Sequence, residues 1–342
     1  MLMIPIWKRV RGLADAVPAM ECVENSMTET KFDIAQAYFL ARTIRCTEEK
    51  IAEIYSTDKV KSPVHLSIGQ EAIAVGACMA LDEGDTVFSN YRGHAHYLAK
   101  GGNLNDMWAE LYGKSNGHAG GKAGSMHLVD ISARFMPASA IVASAISNAV
   151  GYALALKMRK SDDIVLCFHG EGAADEGVFW ESLNFAALKK VPVLFICENN
   201  GYAIYSKQKD RLVGENIVER ARTFGIDAQK ADGFSTSAVF DAVTTAAAKV
   251  RAGGGPMLIE VDTYRWRDHV GPDDDHPLGY RPQDHLDGAV ENDDIDRLAE
   301  ALGSEAAALI DARVEAELAA ALNYAENGDF PGDDELMRHA YA

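Results

Sequence analysis

Apolar residues between Phe32 and Tyr55 recur at helical intervals (Ile34 and Tyr38, Leu40 and Ile44, Ile51 and Tyr55), with charge on the other faces and no proline. That spacing predicts an amphipathic helix. A Ser62-Pro63 break follows, and His65-Leu66-Ser67-Ile68-Gly69-Gln70-Glu71 leads into an alanine-rich helix running to Leu81. This helix has almost no polar face, so it is expected to be buried. Asp82-Glu83-Gly84-Asp85 closes it, and Thr86-Val87-Phe88 reads as a short inner strand. Three later runs, 164–168, 193–197 and 257–261, are continuously apolar, of strand length, and separated by helical sequence. Strands of that kind are covered on both faces, which predicts an α/β fold with a largely parallel sheet and helices on either side. Near the end, Ile310, Val314, Leu318 and Leu322 mark one stripe of an alanine-rich, acidic helix. No repeat of solenoid length is visible.

The stretch from Asn90 to His127 breaks this grammar, with eight glycines and four histidines. Such glycine density predicts loops that need positive φ or a close backbone approach to a ligand; the plainer alternative is a mobile surface excursion. The chain has 342 residues, 48% of them hydrophobic, which is enough for a core able to hide a cofactor. Its net charge of −18 argues against nucleic-acid binding, which needs a clustered basic face. The acidity is expected largely on the exterior, with Asp273-Asp274-Asp275 and the run from Glu291 to Asp296 prominent. Five scattered cysteines, none in a Cys-x-x-Cys pair, indicate neither a disulfide framework nor a zinc site, and suit a reducing, cytoplasmic setting. No run approaches the length of a membrane span. Residues 1–20 carry three basic side chains and are only weakly transit-like.

Chemistry concentrates in one unit: a strand, Gly170-Glu171-Gly172-Ala173-Ala174-Asp175, a helix, a second strand, then Asn199-Asn200-Gly201-Tyr202. Glycines at a strand's carboxyl end let backbone N–H groups approach a phosphate. A dinucleotide site uses the same device, with Glu198 as a ribose-binding acid. However, it requires a third glycine where Asp175 stands. A better account pairs Glu171 with Asn200, at the ends of successive and therefore neighbouring strands. Together with a carbonyl near Tyr202 they form an oxygen-only set suited to magnesium and a diphosphate.

Gly-Glu-Gly followed after 26 residues by Asn-Asn resembles the thiamine diphosphate fingerprint. The wider chain, from about Phe32 to about Arg281, resembles the alpha subunit of the decarboxylating component of 2-oxo acid dehydrogenases of the pyruvate, acetoin and branched-chain types. The landmarks are the 65–71 segment, Asn90-Tyr91-Arg92-Gly93-His94, Gly124-Ser125-Met126-His127-Leu128, the Gly170 to Asn200 unit, and Tyr264-Arg265 followed by His269.

The resemblance implies that Tyr91 and Arg92 touch the diphosphate, with Gly170, Gly172 and Ala173 against its phosphates. Glu171, Asn200 and the Tyr202 carbonyl would hold Mg2+, and the backbone of Ala140 and Val142 would face the aminopyrimidine. His65 and His269 would line the entrance as catalytic residues, with His269 beside the diphosphate. The carboxylate that tautomerises the aminopyrimidine would come from a beta subunit in an alpha2beta2 assembly, and the acyl group of a small 2-oxo acid would pass to a lipoyl acyltransferase. Neither nucleic acid nor membrane is an expected partner. The segment from Ala140 to Ser147 departs from the family pattern near the cofactor ring, which keeps open a two-subunit carboligase or transketolase-like enzyme acting on a hydroxyketone or sugar. The expected layout is an N-terminal extension (1–31), a diphosphate-binding domain (32–290) and an acidic helical segment (291–342).

Overall fold

The computed structural model describes residues 31–214 and 216–338; the transit-like reading of residues 1–20 and the extension up to Thr30 lie outside them. Five parallel strands form one sheet in the order β1 (Thr86–Phe88), β2 (Val165–Gly170), β3 (Val193–Asn199), β7 (Met257–Asp262), β6 (Asp227–Asp232). A small antiparallel pair, β4 (Tyr202–Ala203) and β5 (Ser206–Lys207), stands apart from it.

The three apolar runs occupy the centre of the sheet. Leu166, Phe168, Leu194, Ile196 and Ile259 pack into one core, whereas Val165, Cys167, Val193, Phe195 and Leu258 pack into a second core on the opposite face. Both faces are dry, which is why these strands show no polar alternation. The edge strand β6, with sequence DAQKAD, escapes the apolar pattern because half of it faces outward.

The first predicted helix is α1 (Ile34–Ile54), capped by Asp33. The alanine-rich segment forms α2 (Glu71–Met79), buried from Glu71 to Cys78 and ending two residues before Leu81. Its Gly76 lies against α9 (Thr236–Lys249), where an added Cβ would meet the Thr236 carbonyl at 2.4 Å. The short α3 (His94–Ala99) and α4 (Leu104–Leu111) follow. On the other face lie α5 (Ser144–Arg159), α6 (Gly177–Lys189) and α8 (Ile217–Arg222), with the single turn α7 (Gln208–Arg211) near the carboxyl edge. The chain then runs through α10 (Gln283–Glu291), α11 (Asp294–Leu302) and the long α12 (Ser304–Glu326). The α12 stripe turns Val314 and Leu318 inward, and Asp311 receives Tyr38 at 3.1 Å and Arg42 at 2.8 Å from α1.

The glycine-rich region is no loose excursion. The Glu110 carboxylate on α4, 2% exposed, accepts the N–H groups of Ala119, Gly121, Ala123 and Gly124 at 2.7–3.2 Å. Gly121 must be glycine: its φ is +76° and a Cβ would meet the Gly113 backbone at 2.4 Å. The close backbone approach expected of these glycines is here to a carboxylate of the chain itself. Asp275, expected outside, is 1% exposed and receives Arg281 and Tyr280. Asp293 likewise pairs with the buried Arg45 at 2.8 Å, and Asp294 caps α9 through Thr236 N at 2.8 Å. Internal cations, caps and hydroxyls draw these three acids inward, so within the runs expected to be largely exterior they are corrected to buried or paired positions.

Glu110→Ala should cost about 3 kcal/mol of stability by leaving charge-assisted N–H bonds unmade, read as a lower urea midpoint. Glu110→Gln should fall between the two, since its amide keeps one acceptor oxygen.

Candidate functional site

Register builds the first half of the site. Gly170 on β2 lies beside Glu198 on β3, so Glu171 and the Asn199-Asn200 pair leave the sheet as neighbours. Glu171 is 2% exposed, and burial raises its pKa to about 7 although Arg211 opposes the shift by donating to Oε1 at 2.7 Å. Arg211 also meets Asp175. The two asparagines differ in task. Asn199 is tied down, donating to Glu260 at 2.7 Å and Gln208 at 3.0 Å, while its Oδ1 receives Gly201 N. Asn200 Oδ1 receives Tyr202 N at 3.1 Å, closing the turn. Gly172 allows the Glu171–Asp175 turn to lie on β4, because a Cβ would sit 2.8 Å from that of Ala203. Ala173 is buried behind it.

Two loops supply the second half. Gly271 N donates to Val64 O at 2.8 Å and Trp266 N to Ile68 O at 3.1 Å, zipping 264–271 onto 64–68. Gly69, with φ of +92°, leaves room for the Trp266 ring. The zip brings the His65 and His269 rings to 5.3 Å, with Tyr91 4.5 Å from His65 and 5.8 Å from His269. Arg92, 7% exposed, lies among them and donates to the carbonyls of Leu66 at 2.7 Å and His269 at 3.0 Å. No carboxylate of the described residues pairs with it. Burial, with neighbouring Arg265 adding, lowers its pKa to about 10. Burial first and Arg92 second push both histidines down to about 3, so both rings are neutral at physiological pH. Burial also raises the Tyr91 hydroxyl, with nearby Glu171 adding to the shift. A bridge between Asn90 and Ser139 sets the half-exposed Ala140 and the exposed Val142 beside this cluster.

Beneath these groups lie residues whose roles sequence reasoning did not assign. Glu48 receives Ser67 N at 3.1 Å and contacts His94 Nδ1 at 2.9 Å, and His94 Nε2 meets Ser125 Oγ at 2.7 Å. The order resembles a hydrolytic triad, but all three side chains are enclosed, so they brace the loop that carries His65. Arg265 and Arg281, held by Asp275, brace the other loop. His94 and Ser125 fell inside recognised motifs. Arg211 carried no signal, being one cation in a polar stretch. Glu198, weighed as a ribose-binding acid, is buried against His96 Nε2 at 3.2 Å and presents no carboxylate to a ligand.

The carboxyl edge of the parallel sheet thus carries a buried carboxylate, Glu171, and a buried guanidinium, Arg92, that meets no carboxylate of the described residues. Residues 40–328 match the family model for the dehydrogenase E1 component, and the chain belongs to that family. It is 36% identical to the alpha subunit of an acetoin:2,6-dichlorophenolindophenol oxidoreductase of Bacillus subtilis (strain 168), over 87% of this chain and 90% of that one. It is 38% identical to the pyruvate dehydrogenase E1 component subunit alpha of Rhizobium meliloti (strain 1021), over 75% and 73%. With that of Zymomonas mobilis it shares 35% identity over 89% and 87%. No helix among the described residues is long and apolar enough to cross a membrane.

The histidine shifts have a signed consequence. Between about pH 6.5 and 3 the unfolded chain binds protons at His65 and His269 that the folded chain does not, so stability falls as pH drops through this window. A His65→Gln, His269→Gln double variant should lose less urea resistance between about pH 7.5 and 5 than the parent. Parallel losses would show that these rings do not titrate as described.

Proposed function

We propose that this chain is the alpha-type subunit of a thiamine diphosphate-dependent 2-oxo acid dehydrogenase of the pyruvate or acetoin type. It acts in the cytoplasm, in an alpha2beta2 assembly with a beta subunit, decarboxylating a small 2-oxo acid oxidatively and passing the acyl group to a lipoyl acyltransferase. The observation that carries this reading is Arg92: a buried guanidinium without a counter-charge, one element away from a buried carboxylate that already attracts a cation. An unpaired buried charge is costly, and an anionic ligand offsets that cost. The relatives support the dehydrogenase reading and give the carboligase alternative no support.

The residues present fit the cofactor. Arg92 and Tyr91 bind the diphosphate, and the backbone of Gly170, Gly172 and Ala173 lies against it. Glu171, Asn200 and the Tyr202 carbonyl would hold Mg2+, and the Arg211 guanidinium on Glu171 shows that this carboxylate draws a cation. When bound, thiamine diphosphate would supply the electron sink for decarboxylation. The backbone at Ala140 and Val142 orients the aminopyrimidine. Neutral His269 and His65 accept or donate a proton at a ring nitrogen, the task of imidazoles packed in a dry site.

Reconstituted with its beta chain, the protein should oxidise pyruvate, a close 2-oxo acid or acetoin with lipoamide as acceptor; failure with all of them would overturn the dehydrogenase reading. Glu171→Ala should weaken Mg2+ and thiamine diphosphate binding together by at least about tenfold in calorimetry, and an unchanged affinity would place the metal elsewhere. In the parent, Mg2+ affinity should fall with pH below about 7, where Glu171 gains a proton. Arg92→Met should leave the unliganded chain as stable or more so, because it removes a buried unpaired charge, while reducing pyrophosphate affinity. A strongly destabilised variant would assign Arg92 to scaffolding.

A further inference from the structure

A cleft of about 890 Å³ opens along the Asn199–Tyr202 turn; Asn200 and Tyr202 line it, whereas none of Tyr91, Arg92, Glu171 or His269 does. It lies where β3, β7 and β6 end, at Asn199, Asp262 and Asp232. Ligands of open α/β sheets bind at that edge, and the volume suits an organic molecule. Lys207, Lys209, Lys230 and Arg297 face the cleft against the carboxylates of Asp232 and Asp262, making a net positive wall on a chain of charge −18. Lys230 meets Glu260 at 3.4 Å and Arg297 meets Asp294 at 3.1 Å, whereas Lys207 and Lys209 pair with no carboxylate of the described residues.

Two polar side chains of the wall are unpaired although each residue is 6% exposed: the Gln208 Nε2 amide and the Thr263 hydroxyl. Gln208 Oε1 is spoken for by Asn199, so the side chain is anchored with a donor left over. Phe234 and Tyr264 add aromatic wall. Unpaired buried donors among cations, next to aromatic surface, are what a ligand with acceptor oxygens and a carbon skeleton would satisfy.

We propose that this cleft binds a phosphate-bearing organic anion, its phosphate on the lysines and its skeleton against Phe234 and Tyr264. Gln208 N also donates to Gly201 O at 2.9 Å, so an occupant held by Gln208 bears on the turn that presents Asn200 and Tyr202. The ligand therefore tunes cofactor affinity through the turn that the cleft shares with the proposed metal ligands; this coupling, unlike the binding, rests on the metal role proposed above.

The test is calorimetric titration of the assembled alpha–beta protein with inorganic phosphate, a nucleoside 5′-monophosphate and a sugar phosphate, each at low and high salt. At least one organic phosphate should bind with Kd of about 1 mM or tighter, more tightly than inorganic phosphate. The double variant Lys207→Gln, Lys230→Gln should weaken that binding at least about tenfold. A preference for the nucleotide would identify the aromatic wall as a base-stacking surface, and a preference for the sugar phosphate would assign it to a sugar face. No saturable binding, binding unchanged in the double variant, or competitive displacement by thiamine diphosphate would overturn the site. Saturating the cleft should shift thiamine diphosphate affinity, and the shift must be reciprocal; its absence would remove the coupling and leave the site. A chain that bound no thiamine diphosphate would sink the cofactor reading while the cleft titration still decided its own question.

Discussion

Parallel pairing of Gly170 with Glu198 is the constraint on which the site depends, because it delivers Glu171 and Asn200 side by side from two neighbouring strands packed between the two cores. A slip of one residue would exchange the two faces of β2, sending Val165 and Cys167 where Leu166 and Phe168 now pack. Two dissimilar cores, one on each side, hold the register against that slip. The rigid sheet then allows its carboxyl edge to carry groups that would not stay in place on a flexible loop.

Charge is managed differently in the scaffold and at the site. The buried guanidinium groups of Arg45, Arg265 and Arg281 each meet a carboxylate, through Glu71 and Asp293 or through Asp275. These pairs fasten α1 to α2 and α11 and close the loop that bears His269. Among the described residues, Arg92 alone of the four buried arginines meets no carboxylate and is held by carbonyls, and its field adds to burial in keeping the neighbouring imidazoles neutral. Electrostatic cost is thus concentrated where a ligand with negative charge relieves it. The same contrast explains how a strongly acidic chain accommodates an anion, since the balance that matters lies within a few ångströms of the bound group.

Much of the architecture was legible because dry strands and buried helices write unbroken apolar runs. The strands β2, β3 and β7, and the buried helix α2, fall where those runs stand. Of the two edge strands, β1, read as an inner strand, is buried and was legible, whereas β6 was not, since half of its side chains face outward and are free to be polar. Glu171 and the two asparagines stood out through their glycine context, yet nothing in the sequence distinguishes Asn199, which braces the sheet, from Asn200, which closes the turn.

The sequence by itself determined the class of fold, the two strand ends that bring Glu171 and Asn200 together and, by resemblance, the family, since each is recorded in local pattern and spacing. Only the tertiary structure decided which distant groups meet. The zip between the loops at 64–68 and 264–271 joins His65 to His269, α7 lays Arg211 on Glu171, and the fold draws Asp275, Asp293 and Asp294 away from the exterior their sequence context suggested. These outcomes depend on burial and on partners far away in the chain. Burial and partner together set whether a given carboxylate is a surface charge, a cap, or the counter-ion of a buried arginine.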